Sequence, residues 1–284
     1  MTINKAVRAA VLSLLCLLAV VPAAAARPLD EVKKSGFLRV GVYRDFAPFS
    51  SGDSTALRGI DVDLGNAIAK RLGVRVQYLN LTSGEQVDDD LRNGVWKGHY
   101  LGYGVADVML HIPYDKLLEL RNDNVYLFAP YYREQLAVVM DPAQTGGSDL
   151  VTAFSDHKVG VEGDTLADTY LLSAFGGALR EQVAHFRGVG DAVAAMRRGE
   201  IAGVMAPRSQ IEGALGRNRG RYHLTSMPTP GLTISSWLIG MAVKVNAHDL
   251  AYAIEPVVQS MVQDGSLAKS FVKHGLTYVP PPKE

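Results

Sequence analysis

Residues that could carry out covalent or metal chemistry are few and widely spaced in this sequence. The seven histidines lie at positions 99, 111, 157, 185, 223, 248 and 274, without the paired spacing of a metal site. The only cysteine is Cys16. No G-x-S-x-G, Walker or dinucleotide-binding motif occurs in its proper context. The spacing therefore predicts neither a metal nor a cofactor.

Carboxylates offer two further possibilities. Asp88, Asp89 and Asp90 are consecutive, but they lack the alternating ligands and terminal Glu of a calcium loop, so they predict a helix start. Glu162 or Asp115 could act as a catalytic acid if a cleft raised the pKa of its carboxyl group. Nothing in the sequence distinguishes these two from hydrogen-bonding residues. We therefore predict that the protein is not an enzyme and keep catalysis as an alternative.

The amino terminus has the pattern of a cleavable export signal. Lys5 and Arg8 precede an apolar run over 9–21, which ends in a proline and four alanines. The run is shorter than the roughly 20 residues that span a membrane. Because Cys16 lies inside it, the mature part contains no cysteine. We predict that residues 1–26 are a signal peptide and that the mature protein is periplasmic.

Net charge and chain length limit the possible binding partners and the number of domains. Without residues 1–26, the chain has 258 residues with 27 basic and 29 acidic side chains, a net charge near −2. This balance argues against nucleic acid or an anionic membrane as a partner. The length suits one large domain or two modest ones.

The elements that must position any site follow from periodicity. Leu38, Val40 and Val42 alternate with other residues, as in a strand. A helix is expected from Asp63, as its cap, to Gly73, and a second strand over 74–78. Strand, helix and strand in this order predict a βαβ unit with a parallel pair.

The same alternation continues along the chain and predicts an α/β protein. A loop is expected over 141–149, which contains one proline and two glycines. Short apolar runs predict further strands over 106–110, 135–140, 158–161 and 201–205. Helices are predicted from Asp164 or Thr165 to Gly176, from Asp191 to Gly199, and from Asp249 onward with a kink at Pro256.

Six ordered segments resemble the bacterial periplasmic solute-binding proteins, family 3, that serve polar amino acid importers. They are residues 37–49, 59–73, 106–110, 128–132, 163–165 and 198–205. The resemblance implies a type II periplasmic binding protein fold, in which two α/β lobes are joined by two crossing strands near Glu134–Val138 and Leu238–Ala242. Residues 27–134 with 240–284 would form lobe 1, and 135–239 would form lobe 2.

The resemblance also implies a function and partners. The protein would capture a small polar or anionic ligand between its lobes for the membrane permease of an ABC-type importer, and we expect a monomer. The family's aromatic ligand wall corresponds to Phe46, with Phe49 behind it in the core. Its second-lobe donors correspond to Gly163, Asp164 and Thr165, although the last two could equally be helix caps.

The sequence departs from this family where amino acid binders hold both ends of their ligand. The turn from His111 through Tyr114 to Lys116 lacks the Arg that pairs with the ligand carboxylate, and Lys116 is its nearest cation. Pro207 stands where the family has an Asp for the ligand ammonium group. Arg208 follows it, which indicates an anionic or neutral ligand, or else a surface salt bridge.

A segment over 93–104 is longer than the corresponding family link and contains Trp96, His99, Tyr100 and Tyr103. It could line the cleft mouth, form a docking surface, or fold onto lobe 1 as a satellite cluster. Together with 111–115 it is similar to a divergent branch associated with quinoprotein alcohol dehydrogenases. An accessory protein for a periplasmic dehydrogenase is therefore one alternative, and a dehydratase-like enzyme on the same fold is another.

Overall fold

The computed structural model describes residues 26–53, 56–148, 150–226, 229 and 231–282. The predicted signal peptide lies outside the described residues, except for its last residue, Ala26. Within these ranges, no helix combines the length and the apolar character needed to cross a membrane.

Strands and helices alternate along the first part of the chain. In order they are α1 (Leu29–Ser35), β1 (Phe37–Tyr43), α2 (Ile60–Leu72), β2 (Arg75–Leu81), α3 (Val87–Leu91), β3 (Val108–Pro113), α4 (Lys116–Arg121) and β4 (Val125–Met140). A π-helical turn, Arg92–Trp96, directly follows α3. The three consecutive aspartates lie in the first turn of α3, as predicted.

The second part continues the alternation. Its elements are α5 (Pro142–Thr145), α6 (Leu150–Asp156), β5 (Val159–Glu162), α7 (Leu166–Gly177), β6 (Val183–Phe186), α8 (Val189–Arg197), β7 (Gly203–Pro207), α9 (Arg208–Leu215), β8 (His223–Thr225), β9 (Ser236–Lys244), α10 (His248–Gln263) and α11 (Ser266–Lys273). Short 3₁₀ turns, Arg180–Gln182 and Gly216–Arg221, lie before β6 and after α9.

The strands pair in the order β2-β1-β3-β9-β4-β7-β5-β6, with β8 added to β4. At one side β1 is parallel to β2 and β3, and at the other β5 is parallel to β6 and β7. The antiparallel strands β9 and β4 lie between these two groups. The result is two α/β lobes joined by two strands, which confirms the predicted fold class.

Strand β4 is the longest strand and passes from one lobe to the other. Its residues 125–135 pair with β9, whereas residues 136–140 pair with β7 of the second lobe. The partner therefore changes between Gln135 and Leu136. The limits of lobe 1 and lobe 2 given above remain a prediction.

Each lobe has its own apolar core, and one side chain contacts both. Leu38, Ile68 and Leu250 belong to the core of the first lobe, and Val161 and Leu171 belong to that of the second. Trp237, on β9, packs against both cores. The partly buried ring of Trp237 therefore bridges the cores of the two lobes.

Helix α2, Ile60–Leu72, begins four residues earlier than predicted, because its cap is Gly59 rather than Asp63. Its cap is Gly59, with a φ of 139°, and the N–H of Asp61 donates to the carbonyl oxygen of Phe49 at 3.0 Å. Asp63 does not cap the helix, because its carboxylate bonds to Ser270 and Lys273 of α11. The end at Gly73 is as predicted, with that glycine in the left-handed region.

The predicted loop over 141–149 contains the one-turn helix α5. Asp141 caps it by accepting the N–H of Ala143, and Pro142 takes the first helical position, where its missing N–H costs nothing. The strands predicted over 106–110, 158–161 and 201–205 correspond to β3, β5 and β7 within three residues at each end. Helix α10 begins at His248 and continues through Pro256.

We predict that Gly59→Ala destabilises the protein by at least about 2 kcal/mol, since it forces a left-handed backbone and a close contact. A Cβ at Gly59 would lie 2.0 Å from the Phe49 carbonyl oxygen. Urea denaturation followed by circular dichroism measures the free energy of unfolding. The matched control is Gly190→Ala in α8, where a Cβ meets nothing within 4 Å. Equal stability of the two variants would contradict this account of how α2 starts.

Candidate functional site

A buried histidine stands in β3, close to the point where β4 changes lobes. His111 Nδ1 lies 3.2 Å from Asp61 Oδ2, although the two atoms are not aligned as a hydrogen bond. On β4, Tyr131 donates its hydroxyl to Asp61 Oδ1 at 2.8 Å. All three residues are buried. A carboxylate removed from water needs donors, and Tyr131 supplies one to Asp61 beside the imidazole of His111.

Aromatic rings enclose the other side of the imidazole. The ring centroids of Phe46 and Phe49 lie 4.8 and 4.1 Å from that of His111. Phe49 is fully buried, whereas Phe46 is half-buried at the loop that follows β1. His111 has a φ of 61°, a conformation that non-glycine residues adopt at a cost. The predicted wall residue and the predicted cleft histidine are therefore in contact.

Glu134 on β4 is a second buried acid, and its carboxylate joins the two lobes. At the start of α9, Ser209 donates its hydroxyl to the carboxylate of Glu134. The N–H of Gln135 and the hydroxyl of Tyr132 add bonds at 2.9 and 3.3 Å. Burial raises the pKa of Glu134, and these bonds and nearby His111 offset only part of the effect.

Helix α9 makes a second polar contact through Glu212. This carboxylate, 1 % exposed, accepts the N–H of Thr277 at 2.6 Å and its hydroxyl at 2.8 Å. The neighbouring Leu276 belongs to the core of the first lobe. One helix of the second lobe is therefore bonded both to the crossing strand and to the carboxyl-terminal segment.

The second lobe contributes a turn after β5. There Glu162 is half-buried, and burial raises the pKa of its carboxyl group. Beyond Gly163, Asp164 has a φ of 61°, and its N–H donates to Asp168. Thr165 caps α7 by accepting the N–H of Asp168, and its hydroxyl donates to the carbonyl oxygen of Glu162. Thr165 therefore acts as a helix cap, which was one of the two roles that the sequence allowed for it.

Three predicted ligand-binding residues lie outside the histidine cluster. Tyr114, just beyond β3, is 39 % exposed. The Lys116 side chain is 74 % exposed and pairs with Glu119 at 2.6 Å. Arg208 donates its Nε to Glu212 at 3.0 Å, so it forms a salt bridge, but with a buried acid rather than at the surface as the sequence alternative had it. The structure thus gives both predicted cations acidic partners within their own helices.

The aromatic segment over 93–104 lies away from this cluster. It leads into the amino end of β3, whereas the Phe46 loop follows the carboxyl end of β1. Because β1 and β3 are parallel, the two segments stand at opposite ends of the first lobe. The segment therefore does not line the cleft mouth.

The members of this aromatic segment differ in burial. Trp96 packs against the buried cluster that includes Leu91 and Met109, so it belongs to a satellite core. Tyr100 and Tyr103 are 88 % and 59 % exposed, and both rings pack against that of His99. Two tyrosines on glycine-containing backbone thus face solvent together.

Sequence reasoning missed Asp61, Tyr131, Glu134 and Ser209, which hold the site together. Glu134 gave one available signal, since it is an acid at the start of an apolar run predicted to be a buried strand. A buried acid requires a partner. Its partner could not be identified from the sequence, because Ser209 lies 75 residues away.

The structure distinguishes the two carboxylates that were considered as catalytic acids. Asp115 caps α4 by accepting the N–H of Leu118 at 2.8 Å, so its carboxylate is used locally. Glu162 remains the half-buried acid of the pair considered for catalysis. Across the part of the chain that the structure describes, no group of three His, Cys, Asp or Glu side chains could hold a metal ion.

Comparison with known sequences identifies one family. Residues 38–96 match the bacterial extracellular solute-binding proteins, family 3. For that part of the chain, the match confirms the resemblance that the first two segments indicated. A comparison with curated proteins gave no match.

Solved structures resemble nearly the whole chain. An ancestral cationic amino acid solute-binding protein is 21 % identical with a TM-score of 0.68, over 87 % of this chain and 99 % of its own. An amino acid ABC transporter substrate-binding protein from Streptococcus pneumoniae, bound to L-arginine, is 21 % identical with a TM-score of 0.61, over 88 % and 99 %. A mutant of ArgBP from T. maritima is 23 % identical with a TM-score of 0.59, over 86 % and 97 %. These likenesses confirm the two-lobed fold.

The raised pKa of Glu134 predicts a pH dependence of stability. A carboxyl group whose folded pKa exceeds its usual 4.5 favours folding below that pH, and this contribution is lost as the pH rises through the folded value. We expect the free energy of unfolding of the natural protein to fall relative to that of Glu134→Gln over this window. Urea denaturation at a series of pH values measures the difference.

The matched control for this experiment is Glu85→Gln, at an exposed position. It removes the same charge without removing a buried acid, so its stability should follow that of the natural protein across the series. A Glu134→Gln profile parallel to that of the natural protein would contradict the assignment.

Proposed function

We propose that this chain is an exported solute-binding receptor that captures a small polar or anionic ligand between its two lobes. The observation that carries the proposal is the polar junction at the crossing strand, built from His111 and Asp61 of one lobe and Ser209 of the other. Ligand held between two such lobes gains contacts only when they close, so it shifts the population toward the closed form.

Phe46 and His111 form the first-lobe side of the proposed ligand site. Phe46 keeps part of its ring accessible, and His111 provides a polar group among aromatic rings. On the second lobe, the turn from Gly163 to Thr165 is proposed as the facing side. Lys116 and Arg208 already pair with acids, so we assign them a secondary role.

The proposed role is capture and delivery rather than catalysis. The partner would be the membrane permease of an ABC-type importer, and export through residues 1–26 would bring the mature monomer to the periplasm. The family matched over residues 38–96 consists of extracellular solute-binding proteins, which supports this proposal. The commitment of Asp115 to a helix cap also favours binding.

Thermal unfolding in the presence of amino acids, organic acids and amines tests capture. We expect members of one class to raise the unfolding temperature, because a ligand that binds only the folded state stabilises it by about 2.7 kcal/mol at a hundred times its Kd. Phe46→Ala should weaken binding by about tenfold or more, equivalent to about 1.4 kcal/mol. Calorimetric titration with the best ligand measures that loss.

The control is Val272→Ala, which removes an exposed apolar side chain from α11 and should leave the affinity unchanged. If no compound of any class stabilised the folded protein, the receptor proposal would fail. If a ligand bound equally well to Phe46→Ala, the assignment of Phe46 as the ligand wall would fail instead.

The exposed tyrosines favour a second candidate function, that of an accessory protein for a periplasmic quinoprotein dehydrogenase. Tyr100 and Tyr103 present large rings to solvent at the end of lobe 1 opposite the Phe46 loop. Tyrosine is well suited to interfaces, since it buries a large area with little loss of side-chain freedom. A docking surface there would leave the proposed ligand site accessible.

Replacing Tyr100 and Tyr103 together with Ala tests this docking surface. We expect at least about a tenfold loss of affinity for a purified quinoprotein dehydrogenase, measured by surface plasmon resonance. Tyr252→Ala, at an exposed position on α10, is the control. Unchanged affinity in the double variant would remove the docking role of these residues.

A further inference from the structure

A basic pocket lies on the second lobe, outside the proposed ligand site. Its volume is about 480 Å³, and its lining is Arg197, Arg217, Asn218, Gly220, Arg221 and Tyr222. Three guanidinium groups therefore border one concavity. No acidic residue is among the lining residues.

The pocket stands at the end of the lobe away from the cleft. Helix α8 starts after the carboxyl end of β6 and ends before the amino end of β7, so Arg197 marks the opposite end from the turn after β5. The 3₁₀ turn that carries Arg217 and Arg221 follows the last residue of α9. The pocket therefore lies apart from the proposed ligand site.

Nearby acids are already paired with other arginines. Glu200 accepts two hydrogen bonds from Arg198, at 2.6 and 3.0 Å. Glu212 accepts from Arg208 and lies 3.9 Å from Arg219. Among the residues that the structure describes, no carboxylate forms an ion pair with a guanidinium that lines the pocket. Its positive charge is therefore not neutralised by the chain.

Contacts within the chain orient two of the three guanidinium groups. Arg197 donates Nη2 to the carbonyl oxygens of Ala214 and Leu215, at 3.2 and 2.7 Å, at the carboxyl end of α9. The guanidinium of Arg221 lies 5.7 Å from the ring centroid of Tyr222, which is buried. A group held in place before binding loses less freedom when it binds a ligand.

We propose that this pocket binds a multiply charged oxyanion of the phosphate class. The planar fork of Arg pairs bidentately with phosphate oxygens, and a concave wall concentrates the positive potential of several such groups. Three guanidinium groups match an anion with more than one negative charge. The same chemistry is offered by a free anion and by the phosphate of a lipid headgroup.

Pyrophosphate is the probe for the free anion, and vesicles of phosphatidylglycerol and phosphatidylcholine are the probe for the lipid source. Both are tested at low ionic strength, by calorimetric titration and by cosedimentation. We expect Arg217→Gln with Arg221→Gln to weaken binding by at least about tenfold. The control, Lys33→Gln with Lys34→Gln, removes two positive charges from exposed positions in α1 and should retain binding.

Each outcome decides the proposal. If the arginine double variant loses pyrophosphate binding and the lysine control keeps it, the site binds a free oxyanion. If the arginine double variant loses only vesicle binding, the site binds the phosphate of a lipid headgroup. Absence of binding to both probes overturns the site, as does equal binding by the arginine double variant and the natural protein. The test does not use the cleft ligand, so it stands apart from the receptor proposal.

Discussion

Three buried carboxylates need hydrogen-bond donors, and the positions of several distant elements depend on supplying them. Asp61, Glu134 and Glu212 are 0, 3 and 1 % exposed. Leaving any one of them without donors would cost several kcal/mol, comparable to a large share of the stability of a domain. The donors come from distant parts of the chain, namely Tyr131, Ser209 and Thr277. Strand β4, helix α9 and the carboxyl-terminal segment must therefore all be in place together.

This requirement links the architecture to the proposed receptor function. The two lobes share β4 and β9. Glu134 lies on β4 directly before Gln135, the last residue that pairs with β9, and two residues before Leu136, the first that pairs with β7. A carboxylate at that position is bonded to helix α9, which belongs to the second lobe. The absence of the Arg and Asp expected from the family does not leave the junction apolar. A buried histidine and a buried acid make polar contacts at this junction.

Much of the fold could be predicted from the sequence because its signals are local. Alternating apolar residues in β1 and β2, and Gly73 at the end of α2, predicted the first βαβ unit. The start of α2 could not be predicted, since it depends on the backbone of Gly59 approaching that of Phe49. Within the histidine cluster, the sequence indicated Phe46, Phe49 and His111. The nearby acids are hydrogen-bonded to hydroxyl groups that lie 70 to 75 residues away in the sequence, Asp61 to Tyr131 and Glu134 to Ser209. A local sequence pattern cannot predict such distant pairs.

The position of β9 has a consequence for the order in which the chain can fold. This strand lies between β3 and β4, yet it follows β4 by nearly a hundred residues. The sheet of the first lobe therefore cannot close along its middle until residues 236–244 have been synthesised. Such distant pairing is slow because the intervening chain must be closed into a loop first. The first lobe therefore completes its sheet only after the strands β5 to β8 of the second lobe have been synthesised.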